Sequence, residues 1–391
     1  MSSTTAARAC LPTRRRIPTY SARGSSVRDF IRIDDVTREE MERVFHLAHD
    51  MEVMREMGSD LCKGRILATL FYEPSTRTRL SFESAMFRLG GNVLGFADPQ
   101  ATSFAKAETL ADTIQMVCNY ADILVIRHFW AGAAKVAAQQ SRVPVINAGD
   151  DGNQHPTQTL TDLYTLWKTG RDLSSITVGV CGDLRFGRAA HSLVYGLATF
   201  GINIVLIAPP GLDLPPEEAW RLEHVYGADV TCVEEPGEVI GDLDALYVNR
   251  LQKERLPKEL DPAEVQQIAS RYRIDAELIR RAKSDCLVLH PLPRVDELAR
   301  ELDSDPRATY FEQSSNGVPI RMALMAMLMG RVDRPGFAGQ GRDVEERAEH
   351  VCHAETCVTQ HEPRLPVLTE TVDGPSEKHA CHYCGRFVAA P

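Results

Sequence analysis

The segment Ile66-Leu67-Ala68-Thr69-Leu70-Phe71, then Ser75-Thr76-Arg77-Thr78-Arg79, then Leu80-Ser81-Phe82-Glu83-Ser84-Ala85-Met86-Phe87-Arg88-Leu89 decides the architecture. The first piece is short and uncharged and predicts a buried strand. The last has apolar positions at helical spacing and stops at Gly90-Gly91, which predicts a helix. Between them, hydroxyls and two guanidinium groups fall on a strand-to-helix turn. Free backbone N–H groups and the positive end of the helix dipole already favour an anion there. Arginine adds a planar fork that matches phosphate oxygens, and Ser and Thr add neutral donors. Ser75 is positioned to cap this helix, but a cap alone needs neither Arg77 nor Arg79, so the turn reads as a phosphate site.

Working outward, Val36–Arg55 predicts a helix capped by Thr37, with Glu39 and Glu40 in its first turn. Strands follow at 66–71, 122–126 and 143–147, then a helix near 156–168. A second alternation has strands at 176–181, 202–208, 229–233, 244–248 and 286–290, and a terminal helix over 317–329. Continuous apolar strands separated by helices imply parallel sheets covered on both faces. The expected fold is therefore α/β, with two doubly wound parallel-sheet domains joined by helices and a small C-terminal module. The boundaries read from the sequence are a disordered extension over 1–28, domains over 29–155 and 156–330, a Gly-rich linker over 331–350 and the module over 351–391. The terminal helix is expected to return to the first domain.

The chain has 391 residues, 43% hydrophobic and 25% charged, and a net charge of -10. That balance argues against nucleic acid as a partner, so its Arg-rich turns are local sites. No apolar run approaches the ~20 residues of a membrane helix. Residues 1–28 carry Arg8, Arg14, Arg15, Arg16, Arg23 and Arg28 without an acid, compatible with a transit peptide but lacking an amphipathic stretch. Five cysteines, Cys62, Cys118, Cys181, Cys232 and Cys286, lie in or beside apolar segments and read as small core residues. Cys352, Cys357, Cys381 and Cys384 cluster in pairs, which suits a reducing compartment and one metal site, and a cytoplasmic setting is expected.

Ligands of such sheets collect at the carboxyl ends of strands. Those places hold Arg127-His128, Gly182-Asp183-Leu184-Arg185-Phe186-Gly187-Arg188, Asn249-Arg250-Leu251-Gln252 and His290-Pro291-Leu292-Pro293-Arg294. Four polar loops at strand ends, added to the phosphate turn, make chance a poor explanation.

With His155-Pro156-Thr157-Gln158, these loops resemble the catalytic chain of the aspartate carbamoyltransferases over roughly residues 28–330, in order and spacing. The related ornithine enzymes usually show His-Cys-Leu-Pro and an Asp-x-x-x-Ser-Met-Gly loop. Here His290-Pro291-Leu292-Pro293 and Asn249-Arg250-Leu251-Gln252-Lys253-Glu254-Arg255 follow the aspartate pattern, and cationic forks suit a dicarboxylate while repelling a cationic side chain. The alternatives are an ornithine-type or other transcarbamoylase and a non-catalytic scaffold of the same fold.

The resemblance implies that Ser75, Thr76, Arg77 and Thr78 hold the phosphate of carbamoyl phosphate, and that Arg127, His155 and Thr78 donate to its carbonyl oxygen. Gln158 takes its amide with main-chain carbonyls near Leu292 and Pro293. Arg188 and Arg250, supported by Gln252, clamp the carboxylates of L-aspartate. Ser103 and Lys106 match a serine and a lysine that the family borrows from a neighbouring subunit, which implies a homotrimer or a multiple of it. Lys106 is followed by Ala107 where the family usually has Gly, and Ser314-Ser315 departs from the smaller residues expected there. No cofactor is implied for catalysis.

Cys352-x4-Cys357 and Cys381-x2-Cys384 have the spacing of a tetrahedral four-thiolate zinc site. Their segment also looks like the zinc domain of the regulatory chain that accompanies this enzyme in some organisms. His353, His379 and His382 are alternative ligands, and a nucleic-acid ribbon is the competing reading, though the segment lacks a basic, aromatic face. The module is expected to dock on its own or a neighbouring catalytic domain as a brace.

Overall fold

The computed structural model describes residues 29–252, 262–333, 336–337, 342, 344–347, 351–362, 365–376 and 378–388. The N-terminal extension with Cys10, and Lys253, Glu254 and Arg255, lie outside the described residues.

The first domain opens with α1 (Arg38–Met57), whose Thr37 cap and Glu40 form a reciprocal capping box. Then come β1 (Ile66–Phe71), α2 (Thr76–Arg88), β2 (Asn92–Phe96), α3 (Leu110–Val117), β3 (Ile123–His128), α4 (Ala133–Gln140) and β4 (Val145–Asp150). All strand pairs in this sheet are parallel, in the order β2-β1-β3-β4. Strand β2 escaped the sequence reading. It is an edge strand, with mixed exposure and Gly95 in its middle, so it lacks a clear apolar signature.

Next, α5 (Pro156–Trp167) leads to β5 (Thr177–Cys181), α6 (Arg188–Thr199), β6 (Asn203–Ile207), α7 (Pro216–His224), β7 (Val230–Val233), α8 (Pro236–Val239) and β8 (Ala245–Val248). After α9 (Pro262–Arg271), α10 (Ala276–Ile279) and β9 (Leu287–Leu289), the long helix α11 (Tyr310–Leu328) completes the region. This second sheet is also parallel, in the order β7-β6-β5-β8-β9. Cys232 sits on its edge strand β7 and is exposed, which corrects the expectation of a core residue. Cys62, Cys118, Cys181 and Cys286 are buried as expected.

Helix α11 packs against α1, α2 and α5, so it does return to the first domain. One apolar cluster, including Phe45, Phe71, Tyr164, Leu193 and Ile320, runs continuously through both domains. The helix begins seven residues earlier than the sequence suggested, because its polar first turns face neighbours. Gln313 reaches Asp162 at 2.6 Å, Asn316 donates to Thr165 at 3.0 Å, and Arg55 donates to Ser315 at 2.8 Å. That last bond gives Ser315 its role, and Ser314 lines the central cavity.

The C-terminal module is a three-stranded antiparallel sheet of β10 (Val344–Glu346), β11 (Leu368–Val372) and β12 (Lys378–Cys381). The stretch expected to be a linker is anchored where it is described. Phe337 is buried against Phe30 at 5.2 Å, and Arg342 pairs with Asp34 at 2.8 Å and Glu370 at 3.1 Å.

The module docks on its own chain. Ala131 bridges to Cys357, with Ala131 N–H on the Thr356 carbonyl and Val358 N–H on the Ala131 carbonyl, both at 2.9 Å. The Glu362 carboxylate accepts from Leu110 and Ala111 N–H at 3.1 and 3.2 Å, supplying an acid to the positive end of α3. Trp130 stacks on His361 at 4.9 Å. Toward the second domain, Arg221 of α7 donates to the Gly385 carbonyl at 2.5 Å and Trp220 meets Phe387 edge-on. The module therefore touches both domains.

Candidate active site

Strand β1 is followed by Tyr72-Glu73-Pro74, and the chain turns into α2 at Ser75. Ser75 occupies the N-cap position, yet its side chain makes no capping hydrogen bond among the described residues, and the first turn holds no acid. This corrects the expectation that its hydroxyl caps the helix. The consequence favours an anion: the orphan N–H groups of the first turn keep their capacity for one.

The turn forms one wall of a cavity of about 440 Å³. Ser75, Arg77, Thr78, Arg127, His155 and Gln158 reach it from the first sheet and α5. Arg188, Arg250, Gln252, Leu292 and Pro293 reach it from loops at the carboxyl ends of the second sheet. The sequence thus located both walls, and the fold brings these eleven residues together. Thr76, Ser103 and Lys106 do not line it. Thr76 is exposed at the first position of α2, and Ser103 and Lys106 are exposed on a short 3-10 turn before α3. Arg79 turns away to pair with Glu83 at 2.9 Å, so it stabilises α2 and leaves the cavity to Arg77.

The second strand-end loop is also divided. Arg127 lines the cavity, whereas His128 is buried among Tyr72, Phe129 and Trp130. Its Nδ1 accepts from Trp130 N–H at 2.9 Å, and burial pushes the imidazole down to about 3. Arg185 and Arg294 bond instead to the Gly211 carbonyl and to Asp303.

Five arginines, Arg77, Arg127, Arg188, Arg250 and Arg321, line the cavity against two carboxylates, Glu73 and Asp151. In a chain of net charge -10, this is a concentrated positive site. Glu73 was not foreseen. Arg188 grips both its oxygens, at 2.8 and 2.6 Å, and Arg127 adds a bond at 3.1 Å. Burial alone would raise the Glu73 carboxyl, but the bonds and charges of Arg188 and Arg127 hold it below the usual range. At the N-terminus of α6, where the helix dipole disfavours a cation, Glu73 offsets the charge of Arg188 within the chain. It also ties the end of β1 to the start of α6, across the two domains.

Arg127 donates to the Ala148 carbonyl at 3.2 Å, and burial, with the charge of Arg188 adding, pushes its guanidinium down to about 10. His155 is held well below its ordinary range by burial and by the charges of Arg127, Arg188 and Arg321, so its imidazole is neutral near pH 7. A neutral imidazole keeps one donor and one acceptor. Its Nδ1 is buried without a partner among the described residues, as is Arg127 Nε. Gly149, at φ 115°, lies beneath this group: a Cβ there would stand 3.1 Å from Arg127 Nη1 and 3.6 Å from His155 Cδ2. Any side chain would crowd the donors.

Opposite them, Arg77 Nη2 donates to the Leu292 carbonyl at 2.8 Å, linking the phosphate turn to the second domain. Leu292 has a positive φ of 54°, a conformation a branched residue adopts only when held. His290 holds it, accepting Leu292 N–H on Nδ1 at 2.7 Å while its Nε2 donates to Glu297 at 2.8 Å. Asp183 braces two loops of the second domain, accepting from Arg185, Phe186 and Gln252 N–H at 3.0–3.2 Å. Arg321 was also missed. It is a lone cation in the apolar half of α11, donates to Ser81 at 3.1 Å, and finds its space because residue 317 is glycine.

The geometry is matched by kinship. A family model described as the aspartate/ornithine carbamoyltransferase carbamoyl-phosphate-binding domain matches residues 28–168, and the corresponding Asp/Orn-binding domain matches 174–328. Residues beyond 328 lie outside both matches. The aspartate carbamoyltransferase catalytic subunit of Methanopyrus kandleri is 48% identical over 305 residues, 78% of this chain and 97% of the relative. That of Bifidobacterium adolescentis is 49% identical over 308 residues, with 78% and 95% covered. Among solved structures, the catalytic subunit of M. jannaschii aspartate transcarbamoylase is 43% identical, with TM-score 0.72 over 78% of this chain and 98% of that one. The Trypanosoma cruzi aspartate transcarbamoylase in complex with carbamoyl phosphate and aspartate is 36% identical, with TM-score 0.71 over 76% and 94%. The chain belongs to the aspartate/ornithine carbamoyltransferase family and is an aspartate carbamoyltransferase catalytic chain.

Proposed function

We propose that the cavity carries carbamoyl transfer from carbamoyl phosphate to L-aspartate, a step of pyrimidine synthesis in the cytoplasm, with the following division of labour. The supporting observation is that guanidinium groups from both sheets converge on one cavity, so two anions can be held side by side. Ser75, Thr78 and Arg77, with the Thr76 backbone N–H, hold the phosphate at the start of α2. Arg127 and His155, with Thr78, donate to the carbamoyl oxygen, and Gln158 with the Leu292 and Pro293 carbonyls receives the amide. Arg188, Arg250 and Gln252 take the carboxylates of aspartate.

The α-amine attacks the carbamoyl carbon, a tetrahedral oxyanion forms, and the bond to the phosphate oxygen breaks. The amine's proton leaves with the phosphate. Arg127 and neutral His155 face the oxygen where charge develops, and preorganised donors there supply the main rate term. Holding both substrates in one orientation supplies much of the rest. No side chain forms a covalent intermediate, and no cofactor takes part in the reaction.

Ser103 and Lys106 act on the site of a neighbouring subunit, which makes the smallest active unit a trimer closed in a ring. Their exposure outside the cavity of their own chain supports this. So do Leu80 and Phe87, exposed seven residues apart on the outer face of α2, beside the phosphate turn. Mixing inactive Arg77→Ala chains with inactive Lys106→Ala chains should restore part of the activity, because some sites then draw both residues from intact sources. A fully active monomer contradicts the arrangement.

The module binds one structural zinc ion through Cys352, Cys357, Cys381 and Cys384. Their sulfur atoms all lie within 4.8 Å of one another, with Cys352–Cys384 at 3.6 Å and Cys357–Cys381 at 3.9 Å. A tetrahedron with Zn–S of about 2.3 Å requires sulfurs roughly 3.8 Å apart, so the donor set fits. Thr359 donates to Cys357 Sγ at 3.2 Å, the kind of outer bond that orients a thiolate ligand. His382 is committed elsewhere, with Nδ1 on Glu370 at 2.6 Å and Nε2 toward Gln139. Four thiolates leave no open position for a substrate, so the ion braces the fold.

A further inference from the structure

Asp162 is fully buried on α5, one turn after Gln158, and three side chains donate to it. Its Oδ1 accepts from Gln158 Nε2 at 2.7 Å and from Gln313 Nε2 at 2.6 Å. Its Oδ2 accepts from the Tyr247 hydroxyl at 2.9 Å. An isolated buried carboxyl is costly. Burial raises this one, and although those three bonds and the charge of Arg321 pull it back, it stands at about 7.

An amide side chain is nearly symmetric in shape, so its environment alone decides which end faces a ligand. With Gln158 Nε2 and Gln313 Nε2 both donating to Oδ1, the arrangement fits the carboxylate form, which offers only acceptors. It therefore captures the NH2 group of Gln158 and leaves the carbonyl oxygen for the cavity that Gln158 lines. The same carboxylate captures the NH2 of Gln313, whose oxygen then accepts His290 N–H at 2.8 Å. His290 in turn holds Leu292, whose carbonyl faces Arg77 across the cavity.

We propose that Asp162 is a positioning residue for substrate selection: by fixing the Gln158 amide directly, and Leu292 through Gln313 and His290, it presents acceptor oxygens, and no donor, to the –NH2 of the carbamoyl group. This rests on the reading that Gln158 receives that amide. A carbamoyl group brings two N–H donors to these oxygens, whereas an acetyl group of nearly the same shape brings a methyl group and leaves them unpaired. The site thereby rejects acyl phosphates that lack the amine.

The test compares binding of carbamoyl phosphate, acetyl phosphate and inorganic phosphate to the full-length protein by calorimetry. The wild-type protein should prefer carbamoyl over acetyl phosphate by at least about tenfold, the scale of one buried hydrogen bond. Asp162→Asn, and Asp162→Ser as a second replacement that also lacks a fixed acceptor, should lose about tenfold of that preference. Affinity for inorganic phosphate should stay within about twofold, since the phosphate turn is untouched. Gln158→Met should lose the same preference, and the Asp162→Asn/Gln158→Met double variant should lose no more than either. Equal weakening of both acyl phosphates in the Asp162 variants, with the preference kept, would reduce Asp162 to a structural contact and overturn the proposal. Retained preference in Gln158→Met would show instead that Gln158 does not read the amide, and both readings would fall.

Discussion

Replacing Arg127 with alanine is expected to lower kcat by about 10²–10³, roughly 2.7–4 kcal/mol of transition-state stabilisation, the range for losing one preorganised oxyanion donor. The larger end is expected because Arg127 does two things. In the proposed reaction it faces the carbamoyl oxygen, and it shares Glu73 with Arg188, so its removal leaves that carboxylate with one guanidinium fewer. The KM for carbamoyl phosphate should change much less than kcat, since the proposed hold on the phosphate is at the start of α2. Steady-state kinetics with both substrates varied separate the two effects. A variant with near wild-type kcat and a greatly raised KM would place Arg127 in ground-state binding alone.

Removing the zinc ion proposed for the four thiolates is expected to have the largest effect on stability. Apparent binding energies of structural zinc at four thiolates are about 10–16 kcal/mol, and in such modules they are also folding energy. Chelation, or Cys357→Ser, should unfold the C-terminal module. Its loss uncovers Trp130, takes the Glu362 carboxylate from the N-terminus of α3 and releases Arg221 and Trp220 of α7. Both domains then lose a brace, so the melting temperature should fall by several degrees and the tryptophan fluorescence should shift before global unfolding. Metal analysis should give one zinc per chain in carefully prepared protein. Less than one, or a melting curve indifferent to a strong chelator, would contradict the four-thiolate site.

Much of this architecture was legible because it depends on local patterns. The uncharged run Ile66–Phe71 and the hydroxyl-rich turn after it specify a strand, a helix start and a cationic cavity wall within about twenty residues. The cavity residues at the strand ends were legible for a related reason: parallel sheets place all those loops on one edge. What was missed depends on distant partners. Glu73 stands two residues from Ser75, and an acid beside a phosphate turn looks out of place until Arg188, 115 residues away, is seen to grip it. Its position next to so many cations was the available signal. Arg321 gave a fainter one, a single charge in an apolar helical stretch that needs Gly317 to fit. Asp162 looked like a helix residue with no role, because its three donors come from α5, β8 and α11.

The polar start of α11 shows the same limit. Ser314, Ser315 and Asn316 lie before the helix expected over 317–329, yet they belong to it, because a helix between two domains presents polar groups to both. The supposed linker misled in the opposite direction. Its glycine-rich composition suggested a free tether, whereas buried Phe337 and the Arg342 ion pairs fasten it to the first domain and to β11. An ion-pair network of Arg32, Asp34, Arg342 and Glu370 cannot be inferred from spacing, since its members lie more than 300 residues apart at the extremes.

The central claim is that the arginines on the second-domain side select a dicarboxylate acceptor, and acceptor choice tests it most directly. Purified protein with saturating carbamoyl phosphate should be assayed with L-aspartate and with L-ornithine side by side, following both carbamoylated products and released phosphate. The account predicts N-carbamoyl-L-aspartate and phosphate in equal amounts, with no comparable product from ornithine. Ornithine turnover exceeding aspartate turnover would contradict it.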